Sequence, residues 1–363
     1  MRAASLIAFV IPMTMAINPV IALAVDGKSY PRVDASISIE VQNDNTYKSQ
    51  DNDAELNDLF TTTEPEVTFH FNRHLSLLVH GVLEPVKDPG PRDDRYFEDH
   101  GFYLEEIRLR YDADWIFGFG GKFAPNFGLA WDTAPGVYGT DFAENYEFAE
   151  NIGFGGGLVY SSAAIGTHTV AASTFFQDYS ILSDSAITRR GRTRVSDGGV
   201  GNTGDFSSFA VSVDGAEMPF APGFAYHAAF IQRGKGTGDA EDEMGLVFSG
   251  TYTVEVQGVT VTPLVEFAYF FDAEGVNDQE RGFLTTAVRL EWRNWNLTLS
   301  RTSRDTDRPN ASDIDDALYQ VSAGYSFDFG LSADVGWKIA EEEGVESQTI
   351  GLLFTYARDF SAP

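Results

Sequence analysis

The sequence predicts an all-β chain, a transmembrane antiparallel β-barrel of about 16 strands. Three observations carry this prediction: an export leader, period-2 alternation of apolar and polar residues, and connections that alternate between tight turns and long loops.

The leader comes first. Arg2 gives a short positive region, Ala3 to Leu23 is largely apolar but broken by Pro12, Asn18 and Pro19, and Ala22-Leu23-Ala24 fits small-residue cleavage. This reads as a signal peptide spanning 1–24, leaving 25–363 as one barrel domain. Beyond it no run of ~18 apolar residues occurs, so no spanning helix is expected. The 363 residues contain no cysteine. An exported chain needs no disulfides when its backbone hydrogen bonds close on themselves, as a barrel's do. The formal net charge of −29 argues against nucleic acid, which needs a basic surface. Acidic runs such as Asp51-Asn52-Asp53, Glu241-Asp242-Glu243 and Glu341-Glu342-Glu343 read as solvated loop residues.

The alternation is clearest from Tyr319 to Phe329. Tyr319, Val321, Ala323, Tyr325, Phe327 and Phe329 share one face, against Gln320, Ser322, Gly324, Ser326 and Asp328 on the other. The pattern recurs at 33–43, 281–292 and 331–341. A strand between lipid and water has this form. Tight connections are expected at 72–74, 112–114, 255–258, 293–294 and Gly330. Longer ones are expected at 44–63, 85–100, 124–151, 178–204, 234–242, 273–280, 305–315 and 342–345. Aromatics at strand ends, among them Tyr103, Tyr111, Trp115, Trp292, Trp295 and Phe360, suit interfacial girdles. Pro263 falls inside an expected strand and removes a ladder donor there.

The third long connection, 124–151, is the richest in chemistry. Thr140 to Glu150 is expected to form a short helix, with Asp141 as N-cap, Glu144 completing a capping box, and Glu144, Glu147 and Glu150 on one face. In strand four, Glu106, Arg108, Arg110 and Asp112 are assigned to the inner face. Tyr103, Glu105, Ile107, Leu109 and Tyr111 are assigned to the outer one. Lys122, Arg289 and Lys338 are also expected to point inward.

In its strand number and loop alternation the chain resembles the 16-stranded general porins of Gram-negative outer membranes. The stretch Gly121-Lys122-Phe123-Ala124-Pro125-Asn126-Phe127-Gly128 is also similar to a segment of the phosphate-selective porins. The final alternation Ile350, Leu352, Phe354, Tyr356 and Phe360 resembles the C-terminal strand by which outer-membrane assembly machinery recognises its clients. Arg358 at an apolar position and the trailing Ser361-Ala362-Pro363 depart from that pattern. The general-porin resemblance implies an inward-folded third loop, a homotrimer, an outer-membrane location amid lipid and lipopolysaccharide, and passive diffusion of small hydrophilic solutes or ions. It also implies a constriction at which Asp141, Glu144 and Glu147 face Arg108 and Arg110, with Glu106, Lys122, Arg289 and Lys338 lining the pore. Charge rows in a low-dielectric wall would set selectivity. Ionic preference stays open, since the acidic loops favour cations and the two arginines favour anions. The basic run Arg189-Arg190-Gly191-Arg192-Thr193-Arg194 is expected in an outer loop.

Catalytic chemistry finds little support. The six histidines form no HExxH spacing and no G-x-S-x-G elbow is present. Arg233-Gly234-Lys235-Gly236-Thr237-Gly238 lacks P-loop spacing. No catalytic residue, metal or cofactor is expected. Two other classes are carried forward: an enzyme or receptor built on a barrel, and a soluble secreted all-β binding protein. The second predicts a mature chain that stays in the aqueous fraction without detergent.

Overall fold

The computed structural model describes residues 29–362. The expected signal segment 1–24 lies outside them. Sixteen long antiparallel strands close into one barrel. In chain order they are β1 Arg32–Ser49, β2 Asn57–His70, β3 Leu75–Pro85, β4 His100–Asp112, β5 Ile116–Phe123, β6 Asn151–Ser162, β7 Gly166–Gln177 and β8 Ser208–Ala216. There follow β9 Phe224–Arg233, β10 Glu243–Tyr252, β11 Val259–Phe271, β12 Glu280–Trp292, β13 Trp295–Asp307, β14 Ile314–Ser326, β15 Leu331–Glu342 and β16 Val345–Ala362. Each pairs with its chain neighbours, and β1 pairs with β16 from Val33↔Ala362 to Ser49↔Ser347. That last ladder closes the sheet and leaves no outer edge strand, which excludes a sandwich. No helix among the described residues is long and apolar enough to cross a membrane.

The alternation in sequence becomes two surfaces. On β11, Val265 and Phe267 are exposed at 51% and 43%, while Glu266 and Ala268 between and beside them are at 0%. On β12 and β13, Leu284, Leu297 and Leu299 face out, whereas Thr285, Thr298 and Thr302 are enclosed. Trp115, Trp292, Trp295, Phe329 and Phe360 are exposed near strand ends, where amphipathic rings suit a membrane interface.

Several local expectations are corrected. β1 and β2 run on through most of the expected loop 44–63, because Asn43, Asp44 and Asn45 continue the ladder opposite Leu59, Asp58 and Asn57. The last connection is a tight hairpin at Glu343-Gly344, with φ of 50° and 80°, the left-handed pair that a two-residue turn requires. Loop alternation therefore ends before β16. Pro263 keeps its register opposite Val288, and its missing donor falls where the β10 ladder breaks at Thr253.

A β-bulge in β4 overturns the face assignment there. His80 pairs with Glu106 and Gly81 with Leu104, so Glu105 is the extra residue. A bulge turns successive side chains toward one side. Glu105 consequently joins Glu106 inside, with its carboxylate 2.9 Å from His80 Nδ1. Beyond the bulge Tyr103 also turns in, 8% exposed, and leaves the girdle expected of it.

Two short pairings seal the wall where neighbouring strands differ in length. Arg95–Tyr96 adds parallel to β2, and Ala186–Ile187 adds to β4 above the end of β5. Inside, Phe117 and Phe119 lie over Gly157 and Gly155. The glycine run of β6 thus admits rings where a Cβ would collide.

Candidate functional site: the segment between β5 and β6

The short helix expected over Thr140 to Glu150 does not form in the segment 124–150. The segment holds one helical turn at Ala130–Thr133 and one 3-10 turn at Ala143–Tyr146. Asp141 caps neither, and Glu144 instead accepts from Thr140 Oγ1 at 2.8 Å. The reason lies in the aromatics. Phe127, Phe142, Tyr146 and Phe148 are all buried, and no single helical face can bury four rings that pack on different strands. Phe127, Tyr146 and Phe148 meet Phe270 and Phe283 of the wall at centroid distances of 4.9–6.2 Å. Such pairs contribute about 0.5–1.5 kcal/mol each beyond area burial.

Polar anchors on enclosed strand faces fix the rest. Glu266 of β11, fully buried, accepts from Leu129 N–H at 2.6 Å, Ala130 N–H at 3.0 Å and Tyr146 O–H at 2.7 Å. Ser249 of β10 donates to it as well. A carboxylate with four donors needs no cation to offset its burial. Next along the wall, His227 Nε2 accepts from Gly128 N–H at 3.1 Å, while Nδ1 meets Asp214 at 2.7 Å. Asn126 donates to Ser212 and Asp214. On β14, Gln320 accepts from Tyr138 N–H at 3.1 Å and donates to Pro135 C=O at 2.8 Å. Tyr138 O–H reaches Asp44 of β1 at 2.8 Å, and Arg304 of β13 reaches Asn145 at 2.6 Å. The chain passes closely over Gly336 and Gly351, where an added Cβ would meet Val137 and Tyr138.

The expected site residues are distributed as follows. Asp141 meets Lys338 Nζ at 2.7 Å. Arg108 pairs with Glu106 at 2.7 Å and Arg110 with Asp112 at 2.8 Å, each on its own strand. The loop-to-wall ion pair is therefore made by Lys338 and not by the two arginines. Arg289 pairs with Glu291 at 3.1 Å. Lys122 is 3% exposed and bound to Glu150 and Asp178, so it holds the root of the segment. Glu150 thereby leaves the row expected with Glu144 and Glu147.

Glu147 lies close enough to Glu105, Glu144, Glu84 and Asp132 for their charges to act on it. Surrounding protein, and then these carboxylates, push its pKa up to about 8. Desolvation, with Glu105, pushes Asp132 up to about 7. The anchors Glu266, His227 and Gln320 carried no motif in the sequence. Their only signal was a bulky polar residue on an otherwise small inner face. Among the described residues no group of side chains is arranged to hold a metal ion.

No family model and no curated protein matches the chain. Solved structures do match. OmpF of Salmonella typhi, solved with daunomycin, is 12% identical over 90% of this chain and 98% of its own, with a TM-score of 0.61. The outer membrane channel DcaP of Acinetobacter baumannii is 10% identical over 91% and 99%, with a TM-score of 0.58. OmpT of Vibrio cholerae, an outer membrane protein solved in a trimer form, is 11% identical over 90% and 99%, with a TM-score of 0.54. The chain therefore has the closed antiparallel barrel fold of these outer-membrane proteins.

Proposed function

We propose that the chain is an outer-membrane porin. Small hydrophilic solutes or ions diffuse passively through its barrel, which segment 124–150 narrows, and the duct favours cations. One observation carries the ionic preference. Among the described residues, the basic side chains on the enclosed face are tied to carboxylates: Arg108 to Glu106, Arg110 to Asp112, Arg233 to Glu243, Arg289 to Glu291, Arg304 to Asp316 and Lys338 to Asp141. Among the described residues, Glu84, Asp132, Glu144 and Glu147 have no Lys or Arg within salt-bridge distance. The segment and the facing wall thus both present carboxylates without a basic partner; they carry their full negative charge above the raised pKa values of Asp132 and Glu147, and low-dielectric walls focus that field on the water between them.

The reading involves no covalent step. The Asp214–His227 pair would begin a hydrolytic relay, but the nitrogen that would activate a hydroxyl accepts from the Gly128 amide. Outward apolar side chains are read as meeting lipid, and a homotrimer is the assembly proposed by analogy with the fold neighbour solved as one. The test is reversal potential across a planar bilayer in a KCl gradient. The parent should favour potassium over chloride, and Glu144→Gln with Glu147→Gln should shift the potential toward chloride. An unchanged potential removes these residues from the constriction.

A further inference from the structure

Both roots of segment 124–150 converge on one ion network that diffusion itself does not require. Lys122, at the end of β5, donates to Glu150 at 2.6 Å, lies 3.0 Å from Asp178, and reaches the Leu182 carbonyl at 3.0 Å. Arg190 arrives from the long surface segment between β7 and β8. It donates to both Glu150 oxygens at 2.6 Å and to the Ser183 carbonyl at 3.0 Å. Its guanidinium carbon stands 3.9 Å from the centre of the Tyr103 ring, and the Tyr103 hydroxyl is held by Glu84 at 2.6 Å. The Asp178 N–H donates to the Glu150 carbonyl at 3.0 Å. The four charges sum to zero. Lys122 and Asp178 are 3% and 1% exposed, so losing one partner would leave a buried charge uncompensated.

The surface segment is itself stitched to the wall. Ala186 and Ile187 pair with Phe102 and Gly101 of β4, and Thr188 N–H donates to the His100 carbonyl at 3.2 Å. Arg190 follows two residues later, so its backbone is fixed relative to the barrel. Glu150 has a φ of 60°, a conformation that a residue with a Cβ keeps only when its surroundings hold it. Its partners in the network supply that hold.

We infer that Arg190 and Glu150 form a strap holding segment 124–150 in its place inside the duct, so that an outer surface segment sets the width of the pore. Arg190, Lys122 and Asp178 are positioning residues, acting on permeation through Glu150. The inference rests on the pore reading above. Planarity matters in this strap. Arginine reaches the Glu150 carboxylate through Nη2 and the Ser183 carbonyl through Nε while stacking on Tyr103, and lysine supplies charge without this fork or the stacking.

The experiment is single-channel recording of the purified full chain in planar bilayers, comparing the parent with Arg190→Gln and Arg190→Lys. Barrel integrity is checked first by the heat-dependent electrophoretic shift. Arg190→Gln should raise conductance by roughly half or more and add open-channel noise, because the segment loses its fixed position in the pore. Arg190→Lys should fall between it and the parent. A general structural defect would lower the number of inserted channels without altering the conductance of each. Should Arg190→Gln fail to fold, Tyr103→Leu keeps the four charges and removes the stacking platform together with the hydroxyl's bond to Glu84, which Tyr103→Phe removes alone; Tyr103→Leu should add noise and Tyr103→Phe should not. Parent-like conductance and noise in folded Arg190→Gln, or in Tyr103→Leu where the first does not fold, overturn the strap. A parent that passes no current overturns both the strap and the pore reading.

Discussion

Glu266 shows how much one side chain can decide. It sits at the centre of an enclosed strand face and gathers two backbone amides and a tyrosine hydroxyl from the segment it docks. Glu266→Gln keeps the shape but turns an amide N–H₂ toward these donors. The change should cost about 3 kcal/mol of docking free energy, read as a lower unfolding midpoint in detergent together with a noisier open channel. A silent substitution would show that the aromatic contacts suffice alone. Glu147 and Asp132 act by charge. Their pKa values are raised to about 8 and about 7, so raising the pH through that window removes their protons and adds negative charge to the duct. The cation-to-anion permeability ratio should therefore climb between about pH 6 and pH 9. Glu147→Gln should flatten the upper part of that climb. A ratio independent of pH would place both groups away from the permeation path. These residue-scale features were only partly legible beforehand. Glu147 could be singled out as a loop acid, but its raised pKa comes first from burial against the barrel and then from carboxylates such as Glu105 and Glu84, which the fold brings near it from β4 and β3.

Among elements, strands were far easier to read than the segment between β5 and β6. A strand on a two-solvent surface repeats one rule every second residue, and Tyr319 to Ser326 obeys it throughout. The rule fails where a single inserted residue shifts the parity, as at Glu105, since nothing local in Leu104-Glu105-Glu106 marks a bulge. The segment 124–150 was legible as special but not in conformation. Its capping pattern at Asp141 and Glu144 is a local preference worth about 1 kcal/mol, and burying four rings against several strands outweighs it. Its close passage over β15 yields a direct test. A Cβ at Gly336 would lie 2.7 Å from the Val137 side chain, so Gly336→Val must push the segment off the wall. Overpacking of this kind costs about 1–3 kcal/mol, and the displaced chain should narrow the duct and reduce single-channel conductance. Conductance equal to the parent's would mean that the 135–138 stretch yields without entering the path.

The whole molecule follows from closure. Every strand of the sheet is paired on both sides once β1 meets β16, so apolar side chains can face hydrocarbon without exposing unpaired backbone. The strand number, the outward apolar surface and the position of the long third segment were all readable from alternation and loop lengths. The extended β1–β2 hairpin and the tight Glu343-Gly344 turn were not, because polar asparagines and a charged run resemble loop residues in sequence. A closed barrel should resist unfolding by dodecyl sulfate at room temperature and run faster on a gel than after boiling. Identical mobility before and after boiling would indicate an open or incomplete sheet. The most direct test of the central claim is current through the purified chain in a planar bilayer under a tenfold KCl gradient. The account predicts discrete, lasting conductance steps with a reversal potential of the sign that marks potassium as the favoured ion. A bilayer that stays silent despite verified insertion of folded protein would contradict it.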